Sequence, residues 1–459
     1  MKTSPRRLIW NAARLLLLVA ALVTAPVQSA DAQASGRPNV LFISVDDLKP
    51  SIGAFGDEIA VTPHIDRLTA RGTAFTNAHC QQASCAPSRV SLLTGLRPDA
   101  TRVWDLQTSF RDTIPDVVTL PQRFRQAGYR TVGIGGKVFH GHRDNMDEAS
   151  WSEPFTRVQS SASRTWGYLD AELVADVEQN RSKYTQLPRG RKQQLDALFP
   201  DKRPPTERLD LADNAYNDGV VTDQAVSRIA ELATADEPFF LAVGYDKPHL
   251  PFIAPDKYWQ LYDAEALPLA EVIRAPDGAP SFATQPGWEL RSGYNVPQEG
   301  PLPAELQREL VHGYYACVSY IDAQVGRLLD ALDEHGLADH TIVVLWGDHG
   351  FHLGDHAIWC KHTNYEQATR SPLIIAAPGI GAGGESAGAP VEFVDVYPTM
   401  LDLAGIPPHE SLHGTSLVPM LEDPGASVKV AAVSQYPRGG GANLRMGYAY
   451  RTDRYRLVL

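Results

Sequence analysis

The sequence predicts an α/β fold, a doubly wound and mostly parallel sheet followed by a small antiparallel C-terminal piece. Three observations carry that prediction: short apolar runs recur along the chain, helical patterns lie between them, and four of the runs end in acids, lysines or histidines. Asn39 to Val45 (NVLFISV) runs into Asp46 and Asp47, Thr131 to Gly135 (TVGIG) into Lys137 and His140, Phe239 to Gly244 (FFLAVG) into Asp246, Lys247 and His249, and Thr341 to Trp346 (TIVVLW) into Asp348 and His349. One such ending is an ordinary solvated loop. Four together point to a site beyond the carboxyl ends of the strands, where open α/β sheets bind ligands.

The remaining elements follow in order. Residues 1–30 have a secretory layout: Lys2, Arg6, Arg7 and Arg14, then the apolar run Leu15 to Val23, then small residues around Ser29 and Ala30. That run is too short to span a bilayer, so export without stable membrane insertion is expected, to a bacterial periplasm or beyond. Arg6 and Arg7 form an imperfect twin-arginine pair, which leaves the export route open. Leu120 to Ala127, closed by Gly128, and Ala304 to Leu332, closed by Gly336, read as helices, and Leu373 to Ala377 (LIIAA) as a further strand. Residues 143–213, charged and irregular, and 275–303, rich in Pro and Gly, read as long surface insertions that line substrate subsites. Val428 to Ser434, Met446 to Tyr450 and Tyr455 to Leu459 read as a small antiparallel sheet.

Composition limits the function. Lys plus Arg number 42 and Asp plus Glu 54, a formal charge of −12, and loss of residues 1–30, with four basic and no acidic residues, makes it −16. That balance excludes a general nucleic-acid binder, and any anionic substrate must meet a local basic cluster. The four cysteines (Cys80, Cys85, Cys317, Cys360) are too few and scattered for a disulfide scaffold and form no C-x-x-C pair. Cys317 falls on the apolar face of the long helix, and Cys360 has no role that the sequence reveals.

Residues 85–95 read Cys-Ala-Pro-Ser-Arg-Val-Ser-Leu-Leu-Thr-Gly, with Pro87 and Ser88 where a helix begins and Gly95 as its stop, which places Cys85 at a helix N-terminus. From the residues alone this is a low-pKa thiolate or an oxyanion site, against a structural cysteine or a Cys80–Cys85 disulfide. The string resembles the signature of the type I, formylglycine-dependent sulfatases, C-x-P-S-R-x-x-x-L-T-G, at every fixed position. The likeness spans most of the chain and is nearest to the iduronate-2-sulfatase branch: SVDDL at 44–48, QQASCAPSRVSLLTG at 81–95, GKVFH at 136–140, VGYDKPHLPF at 243–252, VSYIDAQVGRLLDALD at 318–333 and GDHGFHLGDHAIWCK at 347–361.

The resemblance implies an alkaline-phosphatase-like fold with a catalytic domain at 36–424 and, from 425 to 459, the start of a C-terminal subdomain that continues in the family beyond the strand ending at Leu459, so the chain is expected to be shortened. It implies oxidation of Cys85 to formylglycine by a maturase and a Ca²⁺ ion held by Asp46, Asp47, Asp348, His349 and the residue at 85. Carboxylate oxygens suit a hard cation, and zinc fits less well because no third histidine or cysteine joins the set. By the same resemblance Arg89 and His140 position the formylglycine, Lys137 bridges it to the sulfate, and His249 with Lys361 stabilises or protonates the leaving alkoxide. His352, His356 and His362 are read as loop histidines. The implied activity is hydrolysis of sulfate esters of carbohydrates, with 2-O-sulfated uronic acids of glycosaminoglycans or other polysaccharides as the expected substrates. Its rivals are a phosphodiesterase or phosphonate monoester hydrolase on the same fold and a non-catalytic binder of sulfated sugars.

Overall fold

The computed structural model describes residues 36–140, 146–158, 160–184, 199, 203–285, 287–409, 411–439 and 443–459. The leader expected at 1–30 lies outside them. The elements that build and position the site are, in chain order, β1 (Asn39–Val45), α1 (Pro63–Thr69), β2 (Thr73–Phe75), α2 (Cys85–Thr94), α3 (Leu120–Gln126), β3 (Arg130–Gly135), α4 (Asn217–Leu232), β4 (Phe239–Tyr245), α5 (Ala304–Glu334), β5 (Thr341–Gly347), β6 (Leu373–Ala376), β7 (Glu385–Ala387), α6 (Val396–Leu403), β8 (Ala432–Arg438), β9 (Arg445–Arg451) and β10 (Arg456–Val458).

The central sheet has the order β7-β2-β6-β5-β1-β4-β3. β1 lies between β5 and β4 and is parallel to both, while β6 runs antiparallel to each of its neighbours. Each central strand is apolar on both faces because both are covered. Leu41, Ile43 and Val45 pack with α1, α4 and α5, whereas Val40 and Phe42 pack with α2, α3 and α6. Register then fixes where the strands stop: Val45 pairs with Tyr245 on one side and Gly347 on the other, so Asp46, Asp246 and Asp348 leave the sheet at one level.

Local chemistry explains the helix limits. Thr119 caps α3 in a reciprocal box with Gln122, and the chain turns out at Gly128 with φ +83°. α2 has no side-chain cap at Ser84; it is buried along its whole length and ends at Gly95, φ +69°. α5 buries an apolar stripe over 31 residues and carries Tyr314, whose hydroxyl donates to the carbonyl of Asp47 and accepts from the amide of Lys49, both at 2.8 Å. No helix among the described residues is long and apolar enough to cross a membrane.

Two expectations need correction. Residues 143–213 are not wholly irregular: a helix forms at Ala171–Tyr184, and Thr206–Leu209 is a strand parallel to Phe252–Pro255. A few buried anchors, Tyr168, Val177 and Phe199, hold this segment beneath a charged exterior that hides the pattern. The first C-terminal strand begins at Ala432 and not at Val428. Lys429 is drawn off to Glu392 and Asp395, at 2.7 and 2.6 Å, and Val430 is 86% exposed.

The C-terminal sheet β8-β9-β10 is antiparallel, as expected. It braces the segment before α2. The Gln435 amide donates to the Gln81 carbonyl at 2.7 Å, and the Ser434 hydroxyl to the Cys80 carbonyl at 2.6 Å. Beside it, His79 is buried between Asn77 (2.9 Å) and Thr369 (3.2 Å), and burial, aided by Arg456, Arg451 and Arg370, holds its imidazole well below the usual histidine range. The unfolded chain takes up a proton near pH ~6.5 that the native imidazole refuses, so stability falls as pH drops through that value. Denaturant unfolding from pH 7.5 to 5 should show this decline, and His79→Gln should remove about one proton from its slope.

Candidate active site

Three strand ends and one helix N-terminus meet around Arg89. Its guanidinium is fully buried and donates from Nε to Asp348 at 3.0 Å, from Nη2 to Asp46 at 3.0 Å, and from Nη1 to Ser44 Oγ at 2.6 Å and to the Val138 carbonyl at 3.2 Å, with the Lys137 carbonyl also in contact. One side chain thus ties the ends of β1, β3 and β5 to α2. Burial opposes its charge, but Asp348 and Asp46 overcome that and raise its pKa further. Ser88 adds a bond from its hydroxyl to the Asp348 carbonyl at 2.5 Å.

Four potential ligands face the Cys85 sulfur. His349 Nε2 lies 3.4 Å from Cys85 Sγ, 3.4 Å from Asp47 Oδ1 and 3.6 Å from Asp348 Oδ2. The other ring nitrogen of His349 is 3.0 Å from the Gly350 carbonyl, which places the proton on Nδ1 and leaves Nε2 as a lone-pair donor to the site. Asp46, Cys85 and Asp348, and equally Asp47, Cys85 and His349, bring their donor atoms within 4.8 Å of one another. Three buried carboxylates and one imidazole in so small a volume suit a hard divalent cation, and His249 forms a further such group with Asp46 and Asp47. Asp47 is held at φ +60° by the Tyr314 bond to its carbonyl and by its own amide, which donates to Asp348 Oδ1 at 2.9 Å. Left-handed backbone is unfavourable for an aspartate and persists here because its surroundings fix it.

Two lysines and two histidines complete the site. Lys137 Nζ contacts Asp46 Oδ2, and Lys361 Nζ lies 2.8 Å from both oxygens of Asp47. Burial disfavours charge on each lysine, but Asp46 raises the pKa of Lys137 and Asp47 that of Lys361, so both stay cationic. Asp46 in turn ionises despite its burial, since Lys137, His249 and Arg89 hold it well below the usual carboxylate range. His249 Nε2 stands 4.0 Å from Asp46 and Asp47. His140 is close enough to feel Lys137, Asp46, Arg89 and His249; burial and the Lys137 charge push its imidazole down to about 2, so it is neutral.

All ten residues singled out from the sequence converge here. One reading of position 85 is overturned: burial, reinforced by Asp46, pushes the Cys85 thiol well above its ordinary value, so an unmodified side chain here is a neutral thiol and not a low-pKa thiolate. The disulfide alternative also fails, because all four cysteines are free and buried. Sequence reading missed Ser44, Tyr314 and Glu289. Ser44 stands inside the quoted SVDDL string, and Tyr314 is one more apolar-face residue of α5. Glu289 lies in the Pro- and Gly-rich segment, where no period marks it, yet its carboxylate meets His249 at 2.9 Å and Lys361 at 2.8 Å.

A family model described as Sulfatase matches residues 38–406. A second, described as N-sulphoglucosamine sulphohydrolase, C-terminal, matches residues 354–459. The chain belongs to the type I sulfatase family. It is 36% identical to the iduronate 2-sulfatase of Homo sapiens, over 92% of this chain and 84% of that one. A phosphonate monoester hydrolase from Silicibacter pomeroyi shares the fold, with a TM-score of 0.70 at 24% identity over 92% of this chain and 87% of that one. So does a protein solved with its substrate D-glucosamine-2-N,6-O-disulfate, with a TM-score of 0.68 at 21% identity over 92% and 88%. These likenesses make the enzyme a sulfuric ester hydrolase on an alkaline-phosphatase-like fold, with the C-terminal sheet in the region of the second match.

In this sulfatase, Arg89→Lys tests the framework, because a compact ammonium cannot span the separate positions from which Nε, Nη1 and Nη2 reach Asp348, the β3 end and Asp46. Breaking buried charge pairs of this kind costs roughly 3–5 kcal/mol. The variant should lose at least ~100-fold in kcat with a lowered unfolding midpoint, read by steady-state kinetics and thermal unfolding.

Proposed function

We propose that this sulfatase removes sulfate from carbohydrates by the formylglycine route, with 2-O-sulfated uronic acids at glycan ends as its substrates. The reading rests on one observation above all: position 85, at the N-terminus of α2, sits within 4.8 Å of the donor atoms of Asp47 and His349 and of Asp46 and Asp348. The uronate preference is supported by the identity shared with the human iduronate 2-sulfatase along nearly the whole chain.

Residue 85, once converted to formylglycine by a maturase, would stand among the candidate cation ligands and within the field of Lys361 and Lys137. Asp46, Asp47, Asp348 and His349 would hold Ca²⁺. When present, the formylglycine supplies the nucleophilic oxygen, and the cation supplies Lewis-acid stabilisation of charge on it and on a sulfate oxygen. The chain's own residues do the rest. Arg89 fixes Asp46 and Asp348 as ligands, His140 serves as a neutral hydrogen-bonding group near Lys137 and Asp46, and Lys137 faces the negative charge that gathers on the sulfuryl oxygens. His249 and Lys361 face the leaving oxygen. Fixed donors of this kind lower the barrier because they need no reorganisation as charge develops. The basic and apolar leader at 1–30 supports action outside the bacterial cytoplasm.

Desulfation of a panel of defined sulfated saccharides tests this. Turnover of a uronate 2-O-sulfate is expected, with loss of activity on chelation, recovery with Ca²⁺, and a fall of at least ~10³-fold in Cys85→Ser. Turnover of another sulfated sugar alone would overturn the substrate, and preference for a phosphonate monoester over every sulfate ester would overturn the reaction. Repeated turnover by Cys85→Ser at the wild-type rate would overturn the role of residue 85.

A further inference from the structure

Glu289 lies on the short helix Trp288–Gly293, far in sequence from both groups that it contacts. Its Oε1 is 2.9 Å from His249 Nε2 and its Oε2 is 2.8 Å from Lys361 Nζ. His249 follows β4 and Lys361 follows β5 by fourteen residues, so a third group must set the spacing between their nitrogens. Glu289 ionises despite its burial, because Lys361 and His249 hold it well below the usual carboxylate range.

The backbone that delivers this carboxylate is fastened to the segment that carries Lys361. Gln285 Nε2 donates to the carbonyls of Trp359 and Lys361, both at 2.8 Å, while its Oε1 accepts from the amides of Gly287, at 2.5 Å, and Trp288, at 3.1 Å. Gly287 has φ +78°, and a Cβ there would come within 3.3 Å of Trp359 Cβ. His249 is held from the other side, its Nδ1 lying 2.6 Å from the Leu250 carbonyl.

We propose that Glu289 is a positioning residue, a clamp braced on His249 Nε2 that aims Lys361 at the leaving oxygen and so matches the enzyme to unactivated, alcohol-derived sulfate esters. The inference rests on the sulfate-ester reading above. As a bond forms from the nucleophilic oxygen at position 85 to sulfur, the bond from sulfur to the sugar oxygen breaks and its electron pair stays on that oxygen. A sugar alkoxide cannot spread this charge and takes up a proton from the Lys361 ammonium, which is left as the neutral amine until water reprotonates it, so the step depends on an N–H donor aimed at that oxygen. A nitrophenolate delocalises the same charge over its ring and depends on that donor little.

The test compares a sugar 2-O-sulfate with 4-nitrophenyl sulfate in wild type, Glu289→Gln, Glu289→Asp and Gln285→Ala. Glu289→Gln should lower kcat on the sugar ester about 10- to 100-fold, with KM changed less than about threefold and the aryl ester slowed less than about threefold. Glu289→Asp should recover part of the loss, and Gln285→Ala should show the same selectivity more weakly. Equal losses on both esters, together with a lowered unfolding midpoint, would make Glu289 merely structural, and unchanged sugar-ester kinetics would also overturn the clamp. Wild-type protein inactive on both esters would instead overturn the sulfate-ester reading, and the clamp with it.

Discussion

The site depends on a guanidinium that has no water around it. Arg89 is fully buried, and a lone charge there would cost several kcal/mol, so every donor direction has to be answered by the protein. The answers come from Asp46 after β1, the carbonyls of residues 137 and 138 after β3, and Asp348 after β5. This demand sets the geometry of everything near it. With its Nε used by Asp348 and one terminal nitrogen by Asp46, the guanidinium holds two carboxylates that would otherwise repel each other, each with an oxygen within 4.8 Å of the residue 85 sulfur.

The sheet makes this economical. Parallel strands in one register end at one level, so residues one or two positions past Val45, Tyr245 and Gly347 become neighbours without any loop having to search for them. α2 enters from the face opposite α5 with Cys85 at its tip, and Tyr314 reaches from α5 to hold the turn of Asp47. The C-terminal sheet contributes at one remove. Its β8 hydrogen bonds fix the carbonyls of residues 80 and 81, four to five positions before residue 85, and Glu392 joins that region to Arg97 and Lys429 through bonds of 2.6 and 2.7 Å.

Legibility in the sequence followed the same logic. Strand-end residues could be read because a continuous apolar run announces its own end, and a polar group immediately after it has few places to go. Asp46, Asp47, Lys137, His249, Asp348 and His349 were all legible this way, and the 85–95 string supplied Cys85 and Arg89. Lys361 came only from the family resemblance, for it follows a two-residue strand with positive φ on both sides of it, at Cys360 and His362. Tyr314 was hidden because its hydroxyl does polar work from a position whose ring packs as core, 5.5 Å from Phe351. Residues 143–213 misled because their few anchors are spaced irregularly, and an amphipathic period needs regular spacing to be seen.

The acidic balance of the chain and its anionic substrate class are reconciled by where the charges stand. Asp46, Asp47, Asp348 and Glu289 outnumber Arg89, Lys137 and Lys361 at the site, and each cation there is already paired with at least one of these acids. A divalent cation held by the three aspartates would reverse the local sign and would lessen their hold on Lys137 and Lys361. The lysines would then be able to face a sulfate group, with Glu289 still paired to Lys361. Attraction for the substrate would therefore be conditional on the filled ligand set. A protein this negative would then present positive charge to a sulfate ester locally, through Lys137 and Lys361, with no need of a basic surface elsewhere.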